Sequence, residues 1–465
     1  MQRLTSCLTA ALAAFVATTA TAQDRVHARI DSVVRAEMAR QKIPGVAVAI
    51  VKNGQVLSAK GYGEANIEHH VPVGVETVFQ TGSIGKQFTA TAVMLLVQDG
   101  KLALTDSITK YFPGAPASWR GITVRHLLTH TSGIPDYTTD AMDYRRDYTE
   151  DELEQLAFGL VPEFPPGSRW TYSNTGYVLL GIIVHKASGR FYGDVLRDRV
   201  FTPLGMRTAR VITEEEIVPN RAAGYRLVKG EIRNQEWVAP KLNTTADGSL
   251  YLSLQDYIAW DRGLRAKAIL TPASWAAIYD PVTLASGNRY PYGFGWAVDT
   301  LGGSPRLHHG GSWQGFQTYI SRYIGADITI VALANLAGAQ PVAIVDGIAG
   351  VLDPALAVKP PAPIAEREPV VRARLEAVLA ATRDGRLSPN DFAYVRAGYF
   401  PGAAKFYQDL LAGLGAPSAV TLFERTVLGD DRIYLYEVAY GPKAFRVRLG
   451  LAPDDRVSLF AIRPK

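Results

Sequence analysis

With 465 residues, 47% of them hydrophobic, and a formal net charge of +5, the chain has enough apolar content for one large core and a second, smaller one, which excludes an intrinsically disordered protein. The charge excess is mild for this length and the Lys and Arg residues are dispersed, so nucleic-acid binding has no support. Cys7 is the only cysteine, which excludes disulfides and thiolate metal sites from the rest of the chain.

Met1-Gln-Arg3, the apolar run Leu8 to Val16 and Ala20-Thr-Ala22 make up a charged start, a hydrophobic segment and a small-residue cleavage site, so residues 1–22 read as a signal peptide. Its removal takes away one arginine and no acid, lowering the charge from +5 to +4 (5 − 1), and the mature protein is expected to be periplasmic or secreted. No later run reaches the roughly 20 apolar residues of a membrane helix, so no membrane span is expected.

Val26, Ile30, Val33, Val34 and Met38 recur at helical spacing over residues 26–42. The apolar runs Val46 to Val51 and Val56 to Gly61, joined by Asn53-Gly54, predict an antiparallel hairpin. An extended segment then leads through Phe79-Gln-Thr-Gly-Ser83-Ile-Gly-Lys86 into an apolar helix that ends near Asp99-Gly100. A second long helix is predicted from near Asn174 to Gly189, after a polar stretch that ends at Pro166-Gly167. Strand-like runs return at Thr318 to Arg322 and Ile328 to Leu333.

This order predicts one antiparallel sheet built from both ends of a large domain, 23–355, with a helical insertion between. Pro360-Pro-Ala-Pro363 marks a stiff linker at 356–369. Two helical patterns, Val370 to Ala381 and Ala403 to Leu414, and four short strands between Ala419 and Ile462 then predict a small α+β domain at 370–465.

Ser83 and Lys86 stand three residues apart at a helix start, which places both side chains on one face and makes Ser83 a candidate activated nucleophile. Ser107 and Lys110 have the same spacing, but in a polar turn after Thr105-Asp106, where capping or solvation is the expected role. Trp170-Thr-Tyr172-Ser-Asn174 opens the second helix. A phenol beside a lysine ammonium is drawn toward phenolate, so Tyr172 is a candidate general base and acid, against the plainer reading of a buried tyrosine with a satisfied hydroxyl. Asn174 is a candidate substrate contact or helix cap. His309-Gly310-Gly311-Ser312, placed before a strand, suits a backbone that approaches a ligand and offers free N–H groups to an oxyanion. His126 and His130 are spaced i, i+4, but no third ligand is evident, so neither a metal nor a cofactor is expected.

Taken in this order, the three elements resemble the serine β-lactamase and penicillin-binding-protein superfamily, in its class C β-lactamase, esterase and D-aminopeptidase branch. Leu102-Ala-Leu-Thr-Asp106, His126-Leu-Leu-Thr-His-Thr-Ser-Gly133, Pro203-Leu-Gly-Met206 and Tyr292-Gly-Phe-Gly-Trp296 carry the likeness over residues 26–352. The resemblance implies an α/β (α+β) sandwich: a central antiparallel sheet flanked by helices, with an inserted all-helical region. It implies Ser83 as the acylated nucleophile, Lys86 as its proton relay, Tyr172 as base and acid, and Asn174 as a ligand to the substrate amide or carbonyl. The backbone N–H groups of Ser83 and Ser312 would form the oxyanion hole. One departure stands out: His309-Gly310-Gly311 replaces the Lys-Thr-Gly of the lactamases, and a neutral His offers no permanent charge to a substrate carboxylate. The expectation is therefore an exported serine hydrolase acting on an ester or a D-amino-acid peptide. A class C-like β-lactamase is the alternative, and from another class a penicillin- or peptide-binding receptor that does not turn over. The expected partner is a small-molecule or peptide substrate.

Overall fold

The computed structural model of the chain describes residues 23–138, 142–213, 215–239 and 245–465. The leader assigned to residues 1–22 lies outside the described residues.

A helix over 23–41 leads into the strands Gly45–Lys52 and Gln55–Asn66. Asn53 and Gly54 both take positive φ, 52° and 73°, the backbone of a turn whose twist matches the right-handed twist of its strands. The central sheet is fully antiparallel. In spatial order its strands are Ala297–Leu301, Ser304–Trp313, Phe316–Tyr323, Ile328–Ala334, Gly45–Lys52, Gln55–Asn66 and Val71–Pro72. The two ends of the large domain thus meet side by side, Val46 opposite Ala334 through Lys52 opposite Ile328, as the chain order led one to expect.

Both faces of the sheet are covered, which explains why Val46 to Val51 reads as an unbroken apolar run. Ala47 and Ala49 join the larger core with the helices Gly85–Gln98 and Asn174–Ser188 and the helical insertion. Val46, Val48 and Ile50 face the other way, against Ile30 and Val34 of the first helix and Ile344, Val345 and Ile348 of the helix Pro341–Leu352.

The small C-terminal domain has its own core. Val371, Leu375 and Val378 of the helix Pro369–Arg383 pack on Tyr434, Tyr436 and Val447 of a four-stranded antiparallel sheet, Ala419–Leu428, Asp431–Tyr440, Lys443–Leu451 and Val457–Pro464. It docks on the large domain beside the Tyr172 segment: Arg169 pairs with Asp431 at 3.1 Å and lies 4.8 Å over the ring of Tyr394.

Two elements differ from expectation. Within the stretch read as polar, Glu150–Phe158 is a helix, started by a reciprocal cap between Thr149 and Glu152. The His309-Gly310-Gly311 segment does not precede a strand but lies within one, Ser304–Trp313. Glycines carry little strand propensity, and it is pairing with Phe316–Tyr323, from Arg306 opposite Tyr323 to Trp313 opposite Phe316, that holds them extended.

Candidate active site

Ser83 sits in one turn of 3-10 helix, Gly82–Ile84, between the short strand Phe79–Gln80 and the helix Gly85–Gln98. Every residue of that helix from Gly85 to Leu96 is buried, so the turn is anchored from below by the core. Gly82 takes φ +54°, and a Cβ there would lie 2.5 Å from the Ser312 nitrogen; a Cβ on Gly248 would lie 3.0 Å from the Ser83 nitrogen. Only glycines let the turn slot between these two backbones. Residues 309–313 pair with one neighbour only, because the Ala297–Leu301 strand ends its pairing at His308. Among the described residues no second strand pairs with residues 309–312, whose other edge faces the Ser83 turn, where N–H groups are needed by an oxyanion.

Lys86 is fully buried, and its Nζ donates to Ser83 Oγ at 3.2 Å, to Asn174 Oδ1 at 2.7 Å and to the Asp247 carbonyl at 2.5 Å. Burial pushes its pKa down from 10.5 to about 8, against Asp247 and Asp136, which hold it up. Asn174 is held in turn by Asp136 Oδ2, which accepts from its backbone N at 3.1 Å and from its Nδ2 at 3.0 Å. Those bonds fix the amide so that its oxygen must face the lysine. The helix cap is Ser173, whose hydroxyl accepts from the Gly176 N–H, and not Asn174.

Tyr172 reaches the same cleft. Its hydroxyl is buried with no partner in ordinary hydrogen-bond geometry. Burial pushes it well above the usual phenol range, and the adjacent Ser83 hydroxyl acts in the opposite sense. The expected pull toward phenolate is absent, because the Lys86 ammonium lies over the ring face, 4.9 Å from its centroid, and burial outweighs the rest. The loosened proton in this site belongs to the lysine.

Beneath Tyr172 lies His130, ring centroids 4.3 Å apart. His130 Nδ1 accepts from the Ser173 N–H at 3.1 Å, which leaves Nε2 to donate to Tyr292 at 3.2 Å. The Tyr292 hydroxyl then donates to His309 Nε2 at 2.9 Å, and His309 Nδ1 donates to the Gly310 carbonyl at 2.6 Å. Each partner fixes the next tautomer, and burial keeps both rings neutral: His130 is lowered well below its ordinary value and His309 to about 3. His309 therefore braces the strand and brings no charge to the cleft. His126 is used elsewhere, capping the helix Val124–Leu128 through Thr123, so the i, i+4 pair does not converge.

The resulting cleft, about 470 Å³, is lined by Ser83, Tyr172, Asn174, Asp247, Ser312 and Trp313 among others. Gly310 and Gly311 lie behind Ser312: a Cβ on Gly311 would clash with the Thr81 carbonyl at 1.9 Å. Asp136, Asp247 and the bracing roles of His130 and Tyr292 were not read from the sequence; no local motif marks the two aspartates, and Tyr292 stood in a family motif without a role. Ser107 bonds Thr109 at 2.8 Å while Lys110 pairs with Asp106 at 2.9 Å, so that tetrapeptide forms no serine–lysine pair. Ser107→Ala is expected to leave kcat/KM unchanged within about twofold, as for ordinary surface changes; a steady-state assay on an activated ester checks it.

The sequence model described as Beta-lactamase matches residues 30–352. Penicillin-binding protein 4* of Bacillus subtilis is 32% identical over 308 residues, covering 61% of this chain and 68% of that protein. A D-aminopeptidase of Gluconobacter oxydans is 29% identical over 458 residues, covering 94% of this chain and 80% of that protein. The D-amino acid amidase from Ochrobactrum anthropi SV3, solved with D-phenylalanine, superposes with a TM-score of 0.63 at 27% identity, over 71% of this chain and 99% of that one. The octameric penicillin-binding protein homologue from Pyrococcus abyssi shares the fold over 94% of this chain and 99% of that one, with a TM-score of 0.61 at 23% identity. No helix among the described residues is long and apolar enough to cross a membrane.

Proposed function

Because the chain belongs to the Beta-lactamase family and is a hydrolase of that fold, we propose that it cleaves amides or esters of D-amino acids through an acyl-enzyme on Ser83. The observation that carries this reading is the buried Lys86 amine, 3.2 Å from Ser83 Oγ, with its pKa lowered to about 8. A lysine so placed takes the serine proton as Oγ attacks the carbonyl carbon. The oxyanion that forms lies between the Ser83 and Ser312 N–H groups. Tyr172, which keeps its proton, delivers it to the leaving nitrogen and is reprotonated from Lys86. Water then attacks the acyl group with Lys86 again as base, releasing the acid and restoring Ser83. The names of the amidase and the D-aminopeptidase favour D-amino-acid acyl groups here.

A β-lactamase reading is weaker. Where the lactamase motif has lysine, this chain has His309, buried and neutral, so nothing there holds a substrate carboxylate by charge. A panel of D-alanyl p-nitroanilide, p-nitrophenyl acetate and nitrocefin tests the proposal; steady turnover confined to nitrocefin overturns it, and one equivalent of product followed by silence would make the protein a receptor.

The lysine base also predicts a pH profile. Below about 8 Lys86 holds its proton and cannot accept another, and above it the free amine dominates. Expected kcat/KM therefore rises roughly tenfold per unit below that point and levels above it. A profile flat from pH 6 to 9 argues against Lys86 as base.

Reading residues 1–22 as a leader extends the proposal to an exported enzyme, whose mature chain begins near Gln23 on N-terminal sequencing. We read 370–465 as a substrate-restricting module, since it docks beside the Tyr172 segment through Arg169 and Asp431.

A further inference from the structure

Among the described residues no partner in ordinary hydrogen-bond geometry holds the Tyr172 hydroxyl, so its place is set by the packing of its ring and by the backbone that leads to it. That backbone, residues 161–173, is neither helix nor strand. On one side it is tied to residues 130–133: the N–H groups of Glu163, Gly167 and Thr171 donate to the carbonyls of Gly133, Thr131 and His130 at 2.8, 2.8 and 2.9 Å. On its other side stands the C-terminal domain. Glu163 Oε1 accepts from the Ala397 N–H at 2.5 Å, and the Phe164 ring meets Tyr394 edge-on at 5.8 Å.

The turn between the strands Ala419–Leu428 and Asp431–Tyr440 grips the large domain at two places. Asp431 pairs with Arg169 at 3.1 Å, the two side chains only 18% and 21% exposed, and the guanidinium lies 4.8 Å over the Tyr394 ring. Asp430 Oδ1 accepts from Ser286 Oγ at 2.6 Å and from Asn288 Nδ2 at 2.7 Å. Both grips converge on Trp170. It follows Arg169 in the chain, and its ring stacks on that of Tyr290, two residues past Asn288, at 4.3 Å and 10°. Trp170 then meets the His130 ring edge-on at 5.8 Å, and His130 lies beneath Tyr172.

We propose that the C-terminal domain positions the proton donor of the reaction: Asp431, acting through Arg169 and Trp170, is a positioning residue for Tyr172. This role goes beyond restricting which substrates enter, and it rests on Tyr172 delivering its proton to the leaving nitrogen. A donor works only within hydrogen-bond reach of the atom it protonates, and a displacement of about 1 Å costs on the order of 100-fold. Loss of the Asp431 charge leaves a partly buried guanidinium unpaired. Arg169 then turns toward water and draws the backbone of Trp170 with it.

Asp431→Asn keeps the size of the side chain and removes its charge. The full-length variant is assayed with D-alanine p-nitroanilide, whose leaving nitrogen needs a proton, and with D-alanine p-nitrophenyl ester, whose phenolate leaves without one. The expected result is about 10- to 100-fold lower kcat on the anilide at unchanged KM, with kcat/KM on the ester kept within about twofold. Arg169→Lys keeps the charge but not the planar stack on Tyr394, and it carries the same comparison should Asp431→Asn not fold; its anilide kcat is expected to fall severalfold and its ester rate to hold. A parallel fall on both substrates would make the contact structural, and a raised KM at constant kcat would make it a substrate filter. Either overturns the proposal, as does an unchanged anilide rate. Tyr172→Phe tests the underlying role separately. If it slows anilide and ester alike, the acid assignment fails and the proposal with it; if it slows the anilide alone and Asp431→Asn does not, only the positioning fails.

Discussion

Ser83→Ala is expected to lower kcat/KM by at least about 10⁴-fold and to abolish the covalent adduct that a fluorophosphonate leaves on the wild-type protein. Among the described residues, alanine removes the one hydroxyl bonded to Lys86 Nζ; the other two partners of that amine are the Asn174 side-chain oxygen and a backbone carbonyl. What survives is the oxyanion edge and the cleft, and positioning alone leaves a small residual rate. Little stability should be lost, because the hydroxyl is a single partly exposed group whose bond to Lys86 is one of three. Intact mass and peptide mapping check the adduct. A mass shift that persists in the variant, or one that maps to Ser107, would show that the wrong serine was chosen.

Lys86→Met is expected to cost about 10³- to 10⁴-fold in kcat/KM and to remove the rise of activity through pH 8, since Lys86 is the amine bonded to Ser83 and its pKa is lowered to about 8. Its effect on stability runs the other way from that of most core substitutions. A folded-state pKa near 8 against an ordinary 10.5 means that the folded chain holds this proton more weakly than the unfolded one. The cost is full below about pH 8, on the order of 3 kcal/mol, and fades as pH rises toward 10.5. Methionine removes that cost but leaves Asn174 Oδ1 and the Asp247 carbonyl without a donor, so the two effects offset. The melting temperature at pH 7 should therefore stay within a few degrees or rise while turnover collapses. A variant that unfolds at room temperature would mean that Lys86 is chiefly structural. Tyr172→Phe complements this test: it should slow amides more than activated esters, whose leaving groups need no proton.

The fold was legible wherever local chemistry and burial agree. Asn53-Gly54 between two apolar runs specifies its own turn, and the four C-terminal strands announce themselves by alternating apolar residues between polar turns. The helix Glu150–Phe158 was missed despite the cap formed by Thr149 and Glu152, because its acidic first turn masks the apolar face. The strand through His309 was not, since Gly310 and Gly311 are extended only because Phe316–Tyr323 pairs with them.

Of the site, Ser83, Lys86, Tyr172 and His309 could be named from motifs, but their ionisation could not. Spacing placed a lysine near a tyrosine and implied a phenolate; the folded geometry puts the ammonium over the ring and the pKa shift on the lysine.

The amino-acid order by itself determined that a serine and a lysine stand three residues apart at the start of an apolar helix, that a Tyr-Xaa-Asn opens a second one, and that a glycine pair follows a histidine downstream. These are local facts, decided within a few residues by helix and turn geometry. Only the tertiary structure decided which group burial leaves with a lowered pKa and which neighbours hold it. Lys86 finds Asn174 and Asp247, 88 and 161 residues away, in a buried place. Desolvation depends on everything packed around a group, which no stretch of sequence records.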